Sequence, residues 1–168
     1  DMVAAFDLAQ KITAIALVPI QMVNQAIYPH LARTLNKLFA RKMLIVNVAL
    51  SFVIALSVFV LAPYAVYYFS KGELEASVFL TRILCVWLFF GGIVVYLGGP
   101  VLVSFGYPKP FNDSVILGTL ILLISYLLLY VFGGLDDVLN FAYVLCFSEI
   151  VMFSYRLFYC MKYKLFAR

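Results

Sequence analysis

Three long stretches of the chain contain no Asp, Glu, Lys or Arg, and they limit the possible folds more than any other feature. They are residues 43–70, 83–108 and 114–135, which contain 28, 26 and 22 residues. A helix of about 20 predominantly apolar residues crosses the roughly 30 Å hydrocarbon core of a bilayer. Each stretch therefore predicts one membrane-spanning helix.

The composition excludes a soluble domain. Hydrophobic residues make up 66% of the 168 residues and charged residues 12%, whereas soluble domains contain about 45–50% apolar and about 25% charged residues. Two further apolar stretches tolerate a few charges. We therefore predict an all-α integral membrane protein in which residues 1–168 form one transmembrane lobe. Its five predicted helices cover about residues 4–31, 43–69, 79–104, 114–133 and 138–161.

The basic residues of the predicted loops fall almost entirely on one side of the membrane. Eight lie on that side: Arg33, Lys37, Arg41, Lys42, Lys109, Lys162, Lys164 and Arg168. The other side has one basic and five acidic residues: Lys71, Asp1, Glu73, Glu75, Asp136 and Asp137. Lys and Arg next to spans favour the cytoplasmic side. The C-terminus is thus predicted to be cytoplasmic, and the net charge of +4 gives no reason to expect a nucleic-acid partner.

The sequence lacks the short motifs of soluble enzymes. It contains no GxGxxG sequence, phosphate-binding loop, HExxH or Ser nucleophile elbow. The three cysteines are widely spaced and His30 is the only histidine, so neither a disulfide framework nor a metal site is expected. Gly91-Gly92 and Gly98-Gly99 lie in a span, where small residues allow close helix contact or flexing. We predict no enzyme activity and no cofactor.

The first predicted helix carries a polar face along its whole length. On a helix that turns about 100° per residue, seven polar side chains fall within roughly 140°. They are Asp7, Gln10, Lys11, Gln21, Asn24, Gln25 and Tyr28. Unpaired polar groups in hydrocarbon cost several kcal/mol each. This face must therefore contact other helices or a water-filled cavity.

Two interpretations of this polar face stay open. In the first, it lines a substrate cavity, and Pro19 acts as a hinge because it removes a backbone hydrogen bond. In the second, the amides join helices by hydrogen bonds, and Asp7 and Lys11 form an i,i+4 ion pair near the surface. Because ionisable residues within a membrane are functional by default, we favour the cavity.

The fifth predicted helix carries two charges. Glu149 lies about eleven residues from either end, and Arg156 follows two turns later on the same face. Glu149 is a candidate proton or cation site, or alternatively a structural hydrogen-bond donor with a protonated carboxyl group. Arg156 is close enough to the cytoplasmic end for its charge to snorkel to the interface, which is the interpretation we favour. Arg82 is similarly ambiguous.

Residues of the first helix resemble a family pattern. Val3–Ile12 reads VAAFDLAQKI, Pro19 follows, and Asn24–Pro29 reads NQAIYP. This order is similar to the V-G-x-Y-x-x-A-x-K-I … P … S-Q-A-x-x-P pattern of the polysaccharide biosynthesis flippases. These are the Wzx-type O-antigen transporters of the multidrug/oligosaccharidyl-lipid/polysaccharide superfamily. Ala4 and Phe6 depart from the pattern, where Gly and Tyr are usual.

Later landmarks also resemble this family. They are the loop at Gly106–Lys109, the turn at Phe132-Gly133-Gly134 and the pair Ser148-Glu149, whereas Asp136-Asp137 departs from it. The resemblance implies a MATE-like transporter of roughly twelve helices in two lobes. The chain opens on Asp1 directly against a span, so we expect it to be most of the C-terminal lobe, with the N-terminal lobe absent.

The resemblance also implies a function. It is translocation of an undecaprenyl-pyrophosphate-linked oligosaccharide, an O-antigen or capsule repeat unit, across the bacterial inner membrane by alternating access. The implied partners are this lipid-linked oligosaccharide, membrane lipids and other polysaccharide assembly proteins. The implied substrate-cavity residues are Lys11, Gln21, Asn24 and Gln25, with Lys11 for phosphate or cavity electrostatics. Ion coupling or intramembrane charge is implied for Asp7, Glu149 and Arg156, and the hinge for Pro19.

Three other classes of protein remain open. A drug/cation antiporter of the same superfamily would share the architecture. A membrane-embedded enzyme of the same polysaccharide pathway would need a catalytic constellation from outside these 168 residues. A structural membrane subunit would have the polar face of its first helix closed off by neighbouring helices.

Overall fold

The predicted fold class is confirmed. A computed structural model describes residues 2–70, 76–134 and 137–166. Throughout those ranges the chain forms helices joined by turns, without a strand. Within these described ranges, five helices are long and apolar enough to cross a membrane. The chain is an all-α membrane protein with five predicted spans.

The helix bounds extend beyond the predicted spans at several ends. The elements are α1 (Met2–Thr34), α2 (Lys37–Ser70), α3 (Ala76–Tyr96), a π-helix (Leu97–Val103), α4 (Pro108–Val131) and α5 (Val138–Lys162).

Capping residues explain why α2 and α4 begin before the charge-free stretches do. The side-chain oxygen of Asn36 accepts a hydrogen bond from the Phe39 N–H at 3.0 Å, and Asn is a favoured residue at a helix N-terminus. α2 therefore begins at Lys37 rather than near residue 43. α4 begins at Pro108, because proline suits the first helical position. Absence of charge marks the apolar span, whereas these caps mark the helix ends.

The third predicted span consists of two elements. α3 ends at Tyr96, and the π-helix continues over Leu97–Val103. Pro100 lies within the π-helix and has no N–H, so it cannot donate the α-helical bond to the Tyr96 carbonyl. Gly106 has a φ of 83°, a conformation that glycine adopts without steric cost. It closes the turn into α4.

α3 is the central helix of the bundle. It packs against α1, α2 and α5, while α4 packs against α5 and the π-helix. A Cβ atom on Gly92 would overlap the Ser51 hydroxyl of α2, and one on Gly118 would lie 2.6 Å from the Met152 sulfur of α5. The absence of a side chain at these glycines lets the helices approach closely.

One end of the bundle collects the basic segments. Leu31, Ala40, Tyr96 and Leu165 form a buried cluster there, and the Tyr96 hydroxyl donates a hydrogen bond to the Ala40 carbonyl at 2.7 Å. Because these residues belong to the α1–α2 connection, the end of α3 and the C-terminal segment, the basic residues of those parts share one end of the protein.

The opposite end has its own buried cluster, which includes Ala5, Leu80 and Val138 from α1, α3 and α5. The helices therefore run up and down between two packed ends. Several residues of the predicted charge asymmetry lie outside the described residues: Asp1, Lys71, Glu73, Glu75, Asp136 and Arg168.

Candidate functional site

A cavity of about 720 Å³ lies between α1, the α3–π-helix junction, α4 and α5. Pockets of this size bind small-molecule ligands in proteins, commonly with an apolar wall and a few polar groups. The residues that line it are Gln21, Asn24, Gln25, Tyr28, Val94, Val95, Gly99, Pro100, Phe111, Val115, Met152 and Arg156. Three predicted cavity residues, Gln21, Asn24 and Gln25, thus meet in one cavity, and Arg156 joins them.

The polar face of α1 divides into three parts, of which the first is packed. Asn24 is buried, and its side-chain oxygen accepts a hydrogen bond from the Asn47 amide of α2 at 2.7 Å. Here the interpretation of the polar face as interhelical hydrogen bonding applies. Asn24 also reaches the cavity, so one side chain serves both the packing of α1 on α2 and the cavity wall.

The second part of the polar face is the cavity wall itself. Gln21 is half-buried, whereas Gln25 and Tyr28 are exposed, and all three line the cavity. Amide and phenol groups both donate and accept hydrogen bonds. Such a wall can bind a ligand rich in hydroxyl groups.

The third part lies outside the cavity. Lys11 and Asp7 form an ion pair at 2.6 Å, and their side chains are 68% and 58% exposed. Lys11 precedes Gln21 by ten residues, or about 15 Å along the helix. Pro19 is exposed, and α1 continues through it without interruption. The structure does not bring Lys11, Asp7 or Pro19 into the cavity that the amides line.

Arg156 does not snorkel to the interface, which corrects the interpretation favoured from the sequence. Its side chain is only 4% exposed. Nε donates a hydrogen bond to the Ser114 hydroxyl of α4 at 2.8 Å, and Nη1 donates to the Val94 carbonyl of α3 at 2.6 Å. Partners on two neighbouring helices therefore hold the guanidinium inside the bundle.

Aromatic and backbone surfaces complete the surroundings of Arg156. The guanidinium carbon lies 4.8 Å from the centre of the Phe111 ring, which is a cation–π distance. A Cβ atom on Gly98 would overlap Nη1. A charged side chain in the centre of a membrane helix costs about 2.5–3.5 kcal/mol in insertion measurements. These contacts offset part of that cost.

Glu149 is also buried, at 8% exposure, but it lies away from the cavity wall. A Cβ atom on Gly91 of α3 would be 3.5 Å from its Oε1 atom, so the carboxyl group packs against the α3 backbone. In the part of the chain that the structure describes, Glu149 and Arg156 form no ion pair with each other. Glu149 and the cavity amides are therefore separate features.

A buried polar cluster lies at the α1–α2–α3 contact, and Asn47 and Ser51 in it were not among the predicted site residues. It contains Asn24, Asn47 and Ser51, and three of its side-chain atoms have no hydrogen-bond partner among the described residues: Asn24 Nδ2, Asn47 Oδ1 and Ser51 Oγ. The signal in the sequence was Asn47 itself, an amide within a 28-residue stretch without charge.

Comparisons of the chain with protein-family models, with curated proteins and with solved structures found no match. Among the described residues no group of His, Cys, Asp or Glu is arranged to hold a metal ion. The arrangement offers neutral hydrogen-bonding groups and one guanidinium on an apolar wall.

Proposed function

We propose that this chain is part of a Wzx-type flippase that translocates an undecaprenyl-pyrophosphate-linked oligosaccharide by alternating access. The observation that carries the proposal is the 720 Å³ cavity, where the amides of Gln21, Asn24 and Gln25 stand beside Tyr28 and an apolar wall. Sugar hydroxyls match amides as hydrogen-bond partners. Hydrogen-bonding groups in a cavity inside a membrane helix bundle suit a transported polar group.

We further propose the bacterial inner membrane as its location, with the C-terminus in the cytoplasm. The α1–α2 connection, the start of α4 and the C-terminal segment lie at one end of the bundle. This supports the orientation, because these segments carry the basic residues and basic residues are most frequent in cytoplasmic loops. In this arrangement the cavity lies towards the cytoplasmic half of the bundle, since its lining residues from α1, α3 and α5 lie towards that end.

The exposed polar residues of α1 fit a second lobe as the partner of this bundle. Asp7, Gln10 and Lys11 are exposed, and such groups must be covered by protein or water within a membrane. We propose that the N-terminal lobe of the transporter faces them across the translocation route. Pro19 would then be the hinge of α1, and Glu149 the proton or cation site for coupling.

A transport assay with the complete protein in proteoliposomes tests the proposed function. We expect the Gln21→Ala and Gln25→Ala double variant to lose about tenfold in the translocation of a fluorescent lipid-linked oligosaccharide. Each lost hydrogen bond contributes about 0.5–1.5 kcal/mol, and 1.4 kcal/mol is tenfold. Thr119→Ala is the control, because Thr119 is an exposed polar residue of α4 outside the cavity.

The antiporter alternative predicts a different result. The one charged side chain among the lining residues is Arg156, and a positive charge repels a cationic substrate. The antiporter would replace the flippase proposal if the complete protein took up organic cations but translocated no oligosaccharide, and if the double variant took up less of these cations. Equal translocation by the wild type and the double variant would show that this cavity does not bind the oligosaccharide.

A further inference from the structure

Arg156 places a positive charge inside the bundle. It is 4% exposed, and it forms no ion pair within the described ranges of the chain. Glu149, two turns earlier on α5, packs towards the Gly91 backbone and does not line the cavity. Buried charges in proteins are usually paired or bound to a ligand. The cavity is therefore a site that favours an anion.

The guanidinium also has donors left for that anion. Arginine has five N–H donors in a planar fork, and the two hydrogen bonds within the bundle use Nε and one N–H of Nη1. Arg156 lines the 720 Å³ cavity, so its remaining N–H groups are available to a ligand in the cavity. Guanidinium groups bind phosphate oxygens through two parallel hydrogen bonds.

The position of Arg156 is fixed before any ligand binds. Ser114 and the Val94 carbonyl hold the guanidinium from two helices, and Phe111 covers it at 4.8 Å. A side chain that is already ordered loses less conformational entropy on binding. Lys11, the residue expected from the sequence to contact phosphate, is instead exposed and neutralised by Asp7.

We propose that Arg156 is the phosphate-binding group of this cavity and takes the pyrophosphate of the transported lipid. The proposal rests on the proposed function for the identity of the ligand. The amides of Gln21 and Gln25 line the same cavity, so the pyrophosphate and the first sugars bind side by side. The pyrophosphate contacts Arg156 on α5, and the sugar hydroxyls contact the amides on α1.

The test measures pyrophosphate binding to the complete protein by calorimetry, in nanodiscs of zwitterionic phosphatidylcholine. We expect Arg156→Lys to weaken binding by about tenfold or more, because lysine keeps the charge but loses the planar fork. Ser114→Ala removes one anchor and is expected to weaken binding about threefold, through looser positioning of the guanidinium. It keeps the proposal testable if Arg156→Lys does not fold.

Two variants are matched controls. Arg82→Lys makes the same exchange at an arginine that lies over Phe59 outside this cavity, and it is expected to leave the affinity unchanged. Lys11→Ala is also expected to leave it unchanged. Unaltered binding in both Arg156→Lys and Ser114→Ala, or a loss in Lys11→Ala alone, would overturn the proposal.

Two further outcomes separate this proposal from the proposed function. Pyrophosphate binding that depends on Arg156, in a protein that translocates no lipid-linked oligosaccharide, supports the anion site and overturns the flippase. Oligosaccharide translocation with unweakened pyrophosphate binding in Arg156→Lys supports the flippase and overturns the anion site. Loss of pyrophosphate binding when phosphatidylglycerol replaces phosphatidylcholine would assign the site to a membrane phospholipid and overturn the substrate assignment.

Discussion

Single residues in this protein show how closely the helices pack around Arg156. Gly98 and Gly99 are neighbours in a span, yet they have opposite surroundings. A Cβ atom on Gly98 would overlap Arg156 Nη1 and lie 2.9 Å from the Phe111 ring, whereas one on Gly99 would meet nothing within 4 Å. The sequence predicts two equivalent small residues, and only the packing distinguishes them.

This difference predicts the effects of two substitutions. Gly98→Ala is expected to lower the free energy of unfolding by about 1–3 kcal/mol, the usual cost of overpacking a filled site. Gly99→Ala is the matched control and is expected to change the stability little. Denaturant unfolding of both variants in detergent micelles measures the difference. Equal stability of the two variants would contradict the packing around Arg156.

Arg156 also shows what hydropathy cannot predict. Its distance from the end of α5 suggested an interfacial charge, since long basic side chains usually reach the headgroups. The guanidinium instead turns inward because Ser114 and the Val94 carbonyl offer hydrogen bonds. These partners are 42 and 62 residues away in the sequence, and no local pattern reveals them.

At the scale of the element, α1 is the informative helix. Its period of 3.6 residues predicts a polar face, and the polar residues of that face have different neighbours along the helix. Asn24 is hydrogen-bonded to Asn47, Gln25 lines the cavity, and Lys11 is paired with Asp7. Periodicity predicts which side chains share a face; the tertiary partners of each turn depend on the other helices.

Cysteine scanning of α1 is expected to reproduce this division. Gln21→Cys and Gln25→Cys should react with a water-soluble maleimide, because both positions line the cavity. Asn24→Cys should react at least about tenfold more slowly, since Asn24 is buried and thiol reactivity follows exposure. The three native cysteines are buried and give a low background.

Met22→Cys is the control for exposure outside the cavity, because Met22 is an exposed apolar residue of α1 that does not line the cavity. It should stay unreactive towards a reagent that does not enter hydrocarbon. Rapid reaction at Met22→Cys and Asn24→Cys, with none at Gln25→Cys, would contradict a water-accessible cavity on the Gln25 side of α1.

At the scale of the whole molecule, five spans and their order are predictable because hydrophobicity alone determines them. The cavity is not predictable in this way, since four separate parts of the chain contribute to it. The alternation of charge, by contrast, already indicates which connections share an end. The structure brings those connections together through the cluster around Tyr96 and Ala40.

The proposed orientation leads to a labelling experiment. In intact cells that carry the complete protein, an impermeant thiol reagent is expected to modify Asp137→Cys, at the start of α5. It should modify Lys109→Cys, at the start of α4, only after the inner membrane is permeabilised. Basic segments are retained in the cytoplasm. The reverse labelling pattern would invert the proposed topology.

The π-helix changes which side chains of this span lie on one face. The cavity wall from this region consists of two pairs separated by five positions, Val94 with Gly99 and Val95 with Pro100. Five positions along an unbroken α-helix diverge by about 140°, whereas a π-helical bond joins residues five apart. Over Leu97–Val103 the wider winding turns the chain less per residue, so Gly99 and Pro100 come closer to the face of Val94 and Val95 than an α-helix would place them. A wheel drawn at 3.6 residues per turn therefore places Gly99 and Pro100 too far from the cavity wall that they line.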